Sequence, residues 1–345
     1  MAVYTTIDDP SAFFQTATYT GGGGSSSVVN DGNSDLQPDL VWFATREGNN
    51  KPLQDSTRGG TKNIYSDLSQ GADTTPSGVG IASFDSDGFT FGSTAQTYFN
   101  LTSKTYVAWQ WKAGGGTTSS NSNGQITSTV QANTTAGFSI VTFTTDGTTK
   151  TVGHGLGVKP DIVLIKSRNA AGSWLFITDI VDGSMDYGSL DTTAAFSSIG
   201  YDAPTTSVFS YNDNNTNTQV AYCFAEKQGY SKFDKYVGNG NANGPFFYTG
   251  FKPRWVMLKE TGNTNSWWMF DTKRDTFNTA DARLAANTAD AEATGSFTNV
   301  IDFLSNGFKL RNSDSAWNRD GGTYIYMAFA ENPFVTSTGI PTTAR

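Results

Sequence analysis

The chain has 345 residues with a formal net charge of −8, 16% charged residues, 37 glycines and 13% aromatics. Such an acidic balance argues against a nucleic-acid backbone as partner, which needs a basic patch. A single cysteine, Cys223, excludes a disulfide framework, and no run of about 20 apolar residues is present to span a bilayer.

In chain order, Asp9-Pro10-Ser11 leads through residues 12–20 to the glycine run Gly21-Gly22-Gly23-Gly24, read as a flexible loop. The first residues lack a basic start and an apolar stretch, so the expectation is a chain made in the cytoplasm without a leader. Next comes Gln37-Pro38-Asp39-Leu40-Val41-Trp42-Phe43, a proline opening an apolar run, as suits the first position of a buried strand. This pattern returns as Lys159-Pro160-Asp161-Ile162-Val163-Leu164 and as Lys252-Pro253-Arg254-Trp255-Val256-Met257.

A second element repeats behind it. Val107-Ala108-Trp109-Gln110-Trp111, Val220-Ala221-Tyr222-Cys223-Phe224 and Ile325-Tyr326-Met327-Ala328-Phe329 alternate large and mostly small residues. That is the two-residue period of a strand facing a core. Pro38, Pro160 and Pro253 therefore mark three copies of one unit, each long enough to bury its own core.

The predicted divisions are a first unit over 1–116, a polar linker over 117–133, a second unit over 134–229, a third over 230–335 and a polar tail over 336–345. Short strands with frequent turn signals read as antiparallel β-sandwiches, so the expected fold is all-β with three tandem sandwich repeats. A solenoid is the alternative, but its period is about 20 to 50 residues. One helix is expected, over residues 279–286.

Few residues suggest chemistry. His154 is the only histidine, which leaves neither a multi-histidine metal site nor a Ser–His–Asp arrangement. Asp85-Ser86-Asp87-Gly88 opens like a calcium loop, but no acidic residue closes it, so a hairpin turn is the better reading and no metal is expected. The glycine runs at 21–24 and 114–116 lack the lysine and helix of a phosphate loop. Asp55/Arg58 and Asp271/Arg274 share an Asp-x-x-Arg spacing, read as structural ion pairs, while the second copy offers Asp179 and Asp182 instead. Trp317, with Asn318 and Asp314 beside it in an expected loop tip, and Trp174 carry the mix of flat apolar face and hydrogen-bonding neighbours that sugar-binding surfaces use. No cofactor and no catalytic residue is expected.

Taken together, Thr6-Ile7-Asp8-Asp9-Pro10-Ser11, Asp35-Leu36-Gln37-Pro38-Asp39-Leu40-Val41-Trp42, Phe84-Asp85-Ser86-Asp87-Gly88-Phe89, Tyr106-Val107-Ala108-Trp109-Gln110-Trp111-Lys112-Ala113-Gly114-Gly115 and Gly153-His154-Gly155-Leu156-Gly157 resemble a repeat family common in tailed bacteriophages, notably those of marine bacteria. The resemblance implies a virion structural protein of the tail-fibre or surface-appendage kind, with jelly-roll, lectin-like (concanavalin-like or SPRY-like) units. It implies other virion proteins, a host surface glycan and further copies of the chain as partners, and neither nucleic acid nor membrane insertion. The first copy departs from it, since Phe43-Ala44-Thr45-Arg46 stands where relatives usually carry a basic residue directly after the strand. Three functions follow as expectations: a non-enzymatic tail-associated fibre or adhesin contacting host glycans; a capsid or tail decoration protein with an assembly role; and, last, a polysaccharide depolymerase.

Overall fold

The proline-led strands lie at the middle of three large antiparallel sheets. In the computed structural model, which describes residues 4–74, 79–94, 96–295 and 299–341, the fold is all-β, 42% strand and 2% helix. The first large sheet runs Phe14–Thr20, Thr105–Trp111, Leu40–Thr45, Pro52–Asp55, Lys62–Tyr65, Asp73–Thr74. In the second, Phe138–Thr144, Thr218–Phe224, Ile162–Ser167, Leu175–Thr178 and Asp186–Ser189 follow one another. The third reads Ser231–Val237, Thr323–Pro333, Phe251–Glu260, Trp268–Asp271, Leu284–Ala285. Each time the closing strand inserts between the opening strand and the proline-led strand.

Register fixes which residues correspond. Leu40 pairs with Trp111 and Asp55, Ile162 with Phe224 and Thr178, and Trp255 with Phe329 and Asp271. The alternation in the closing strands sends Val107, Trp109 and Trp111, Val220, Tyr222 and Phe224, and Ile325, Met327 and Phe329 into one common cluster. Its centre is a triangle of rings: Trp111 to Phe224 at 6.3 Å, Phe224 to Phe329 at 6.0 Å and Trp111 to Phe329 at 5.6 Å. Such ring pairs add about 0.5–1.5 kcal/mol each beyond their buried area. The largest core is therefore shared by all three sheets and does not belong to any one copy.

The opposite face of each sheet is covered separately. Small sheets built on Gly88–Phe91, on Val208–Tyr211 and on Gly307–Leu310 supply Phe89 and Phe91, Phe209 and Tyr211, and Phe308 and Leu310 to three further clusters. A strand buried on both faces needs a continuous apolar run, which is why every residue of Leu40–Thr45 is buried and the alternation shows only in the closing strands. The expected hairpin at Asp85 is present, with Gly88 at φ +101° and its Cα so close to the Val28 carbonyl that a Cβ would clash.

Two expectations change. The polar stretch 117–133 is not a linker: Ser119–Asn121 and Ser128–Asn133 extend the second sheet. Its polarity hid a strand because the inward residue, Gln131, is buried against polar partners, donating to Thr57 Oγ1 at 2.7 Å and accepting from Gly116 N at 2.7 Å. Residues 279–286 form no helix but bridges and the short strand Leu284–Ala285. Every residue from Ala282 to Asn287 is buried, as in an extended segment covered on both faces. No helix among the described residues is long and apolar enough to cross a membrane.

Candidate functional site

The recurring motifs of the sequence converge on the seams between sheets. Asp39, after Pro38, is buried and accepts from Ala113 N at 2.7 Å, Gly115 N at 2.9 Å and Gly116 N at 2.9 Å, so the glycine run 114–116 wraps a carboxylate of the chain itself. Asp161, after Pro160, likewise accepts from Glu226 N at 2.7 Å. Arg254, after Pro253, meets Glu331 at 3.8 Å. Asp39 and Asp161 hold the segment just beyond the closing strand, whereas Arg254 meets Glu331 near the end of a closing strand that runs on to Pro333.

The Asp-x-x-Arg pairs are buried ion pairs with both side chains fully enclosed. Each also reaches a neighbouring sheet. Tyr222 Oη donates to Asp55 Oδ2 at 2.7 Å and accepts from Arg58 Nη2 at 3.1 Å. Trp109 Nε1 donates to Asp271 Oδ2 at 3.1 Å, and the Arg274 guanidinium lies 5.6 Å from the Trp109 ring. Burial opposes the charge on both arginines, but Asp55, and Asp271 with Glu292, hold them protonated above the ordinary arginine value.

In the second sheet, register places Thr178 where the aspartates stand, one residue before Asp179. Asp179 pairs with Lys159, and Asp182 caps its own turn by accepting from Ser184 N at 2.8 Å. The residue that corresponds to Tyr222 and Trp109 is Met327, which has no donor for a carboxylate.

Three buried lysines complete the seams. Lys166 Nζ reaches Leu68 O, in a loop between strands of the first sheet, at 3.1 Å, and Lys259 Nζ reaches Thr193 O, in a loop between strands of the second, at 3.3 Å. Ala44 occupies this register in the first sheet, and Lys51 supplies the ammonium from the next strand, bonding Thr288 O and Asp290 O of the third-sheet region. Burial pushes all three lysines down to about 8. In the second and third sheets the lysine lies near the end of the proline-led strand, and in the first it immediately precedes the strand Pro52–Asp55.

The residues chosen as sugar platforms lie inside. Trp174 is buried, stacks on Tyr222 at 6.2 Å and donates to Tyr65 O at 2.8 Å. Trp317 is buried in the short helix Ser315–Asn318, with Trp268 at 5.9 Å and the Arg283 guanidinium 5.5 Å from its ring. Asp314 caps that helix by accepting from Ala316 N at 2.8 Å. Asn318 is spent internally, accepting from Asn239 N at 2.9 Å and donating to Asn241 O at 2.8 Å and Asn312 O at 2.9 Å. These two tryptophans offer no face to a sugar; polar neighbours in the sequence were partners for caps and loops.

Exposed aromatics sit elsewhere. Tyr4 and Tyr248, 54% and 58% exposed, flank a cleft of about 170 Å³ with Glu226, Lys232, Thr249 and Phe334. Glu226 and Lys232 pair at 3.0 Å within it. Three consecutive aromatics gave no signal of exposure in the sequence; Phe246 and Tyr248 are exposed because they alternate with Phe247 on a strand that pairs on one side only. His154 is buried: its Nδ1 accepts from Leu156 N at 3.2 Å, so Nε2 carries the proton and faces Thr205 O at 3.3 Å. Among the described residues no cluster of three or more His, Cys, Asp or Glu is arranged to hold a metal.

The fold and its seams define an all-β protein whose three large sheets share a core, with its paired buried charges used between sheets. The chain belongs to the DUF7483 family, a domain of unknown function, whose model matches residues 9–333. No curated protein matches the chain.

Proposed function

We propose that the chain is a non-enzymatic structural protein of a bacteriophage virion, a tail-associated fibre or adhesin subunit that meets host surface glycans. Its three tandem units are read as lectin-like, jelly-roll β-sandwiches set about the common core. The observation that carries the reading is the cleft between Tyr4 and Tyr248: exposed rings beside a Glu226–Lys232 pair offer apolar faces and hydrogen bonds together. The test is binding to a glycan array by the whole chain and by Tyr248→Ala, together with imaging of the particle. Loss of array binding in the variant and a subunit on the tail surface support the reading. Unchanged binding removes the cleft from it, and a subunit found outside the virion overturns it.

A specific observation favours the assembly role as second reading. Phe246 and Phe277 are 43% and 80% exposed, and the strand Phe246–Tyr248 has one unpaired edge. Aromatic side chains of this kind serve protein contacts. A subunit seated on the capsid shell, with Phe277 covered by a neighbour, would select this role.

A further inference from the structure

The inner face of the second sheet changes character along its strands. Phe138 and Ile140, Tyr222 and Val220, and Leu164 and Ile162 all enter the shared core. Two residues further along the same face stand Thr142 and Thr144, then Thr218, and Arg168 beyond Lys166. Thr142 is paired with Thr129 and Thr144 with Thr218, and Arg168 N donates to Thr218 O at 2.7 Å. With Thr127 these residues line an open cleft of about 260 Å³.

The polar groups of this cleft are open to solvent: Thr127, Thr129 and Thr144 are exposed, and Thr142, Thr218 and Arg168 are partly buried. Arg168 has neither a salt bridge nor a side-chain hydrogen bond among the described residues, and none of the five threonine hydroxyls has a hydrogen-bond partner there. Its guanidinium is partly buried, and burial followed by the nearby Arg58 charge weakens its hold on the proton. Two fully enclosed arginines are paired, Arg58 with Asp55 and Arg274 with Asp271. Arg168 is only partly buried and meets no carboxylate at ion-pair distance among the described residues, so its guanidinium keeps donors free for an anionic group.

We infer that this cleft binds an acidic saccharide, with Arg168 taking its carboxylate or sulfate group and the threonine hydroxyls taking its ring hydroxyls. A guanidinium fork fits two oxygens of one anionic group. Hydroxyls both donate and accept, as sugar hydroxyls do. Alternate residues on one strand lie about 6.8 Å apart and neighbouring strands about 4.8 Å apart, which spreads the hydroxyls over an area wider than a bare inorganic anion can use. The inference deepens the glycan-contact reading and rests on it, at a place away from the Tyr4–Tyr248 cleft.

The test is calorimetric titration of the whole chain with oligogalacturonate, with neutral dextran oligomers of the same length and with inorganic sulfate, for the wild type, Arg168→Gln and the isosteric Thr142→Val/Thr144→Val pair. The expected result is binding of oligogalacturonate in preference to dextran, weakened at least tenfold in Arg168→Gln and several-fold in the threonine pair, with unchanged melting temperatures. Equal affinity of Arg168→Gln and wild type overturns the cleft and leaves the surface-contact reading standing. Sulfate binding without oligogalacturonate binding, or equal binding of dextran, overturns the acidic-saccharide assignment. If neither oligomer binds, the cleft is overturned, and the position of the chain in the particle separately decides the broader reading.

Discussion

Tyr222 Oη donates to Asp55 Oδ2 at 2.7 Å across 167 residues of chain, joining the closing strand of the second sheet to a buried ion pair of the first. Trp109 makes the corresponding bond to Asp271 from the first sheet to the third. A donor in one sheet thus accompanies a carboxylate in another, and where the donor position holds Met327 the carboxylate position holds Thr178. The absence of Asp-x-x-Arg from the second copy is therefore matched on the surface it would have met.

Removing these groups should cost unequal amounts. Tyr222→Phe removes the hydroxyl's bonds to both Asp55 and Arg58 but leaves those two bonded to each other, so it should cost about 1.5–3 kcal/mol. Asp55→Ala strands the enclosed Arg58 and should cost about 3–5 kcal/mol. Urea unfolding of both variants against wild type measures the difference, and equal losses would show that the aspartate does not hold the arginine.

His154 gives the fold a dependence on pH. Burial holds its imidazole below the ordinary value of 6.5, and protonating Nδ1 would turn the acceptor of the Leu156 N–H into a second donor. Because the folded value lies below the unfolded one, its contribution is present above 6.5 and is lost as pH falls through the folded value. As the only histidine, it should show an NMR titration midpoint below 6.5, and its Asn variant should lose less stability than wild type on acidification.

Buried tryptophans should act through stability and exposed tyrosines through contact. Trp317→Ala is expected to cost about 3–5 kcal/mol, since the ring is enclosed between Trp268 and Arg283. Tyr248→Ala, more than half exposed, should change stability by no more than about 0.5 kcal/mol. Thermal melts of the two variants check this, and a Trp317 variant that melts like wild type would contradict the burial of its ring.

The strand pattern was legible because proline-led runs and alternating closing strands obey backbone geometry that any sheet imposes. Which face of each strand met which neighbour was not: Trp109 and Trp111 read as one copy's core, yet they meet Trp255 and Phe329 of the third sheet, far away in sequence. Local composition misled where polar residues are spent inside, as with Gln131 in a strand and Asn318 under a loop. Thr127 and Thr129 fell in the stretch expected to be a linker, and only pairing placed them beside Thr142, Thr218 and Arg168.

The shared core makes a claim about cooperativity. If each copy held its own core, a lesion at the centre would lower one of several transitions. Trp111 touches Phe14 from its own sheet, Phe224 from the second and Trp255 and Phe329 from the third, so its loss is felt by all three at once. Trp111→Ala should therefore cost about 3–5 kcal/mol and move one calorimetric transition of the whole chain to lower temperature. The calorimetric and van't Hoff enthalpies should agree in both proteins, as they do for a single cooperative unit. A scan resolving separate transitions, with only one displaced by Trp111→Ala, would mean that the sheets unfold independently despite the ring contacts among Trp111, Phe224 and Phe329.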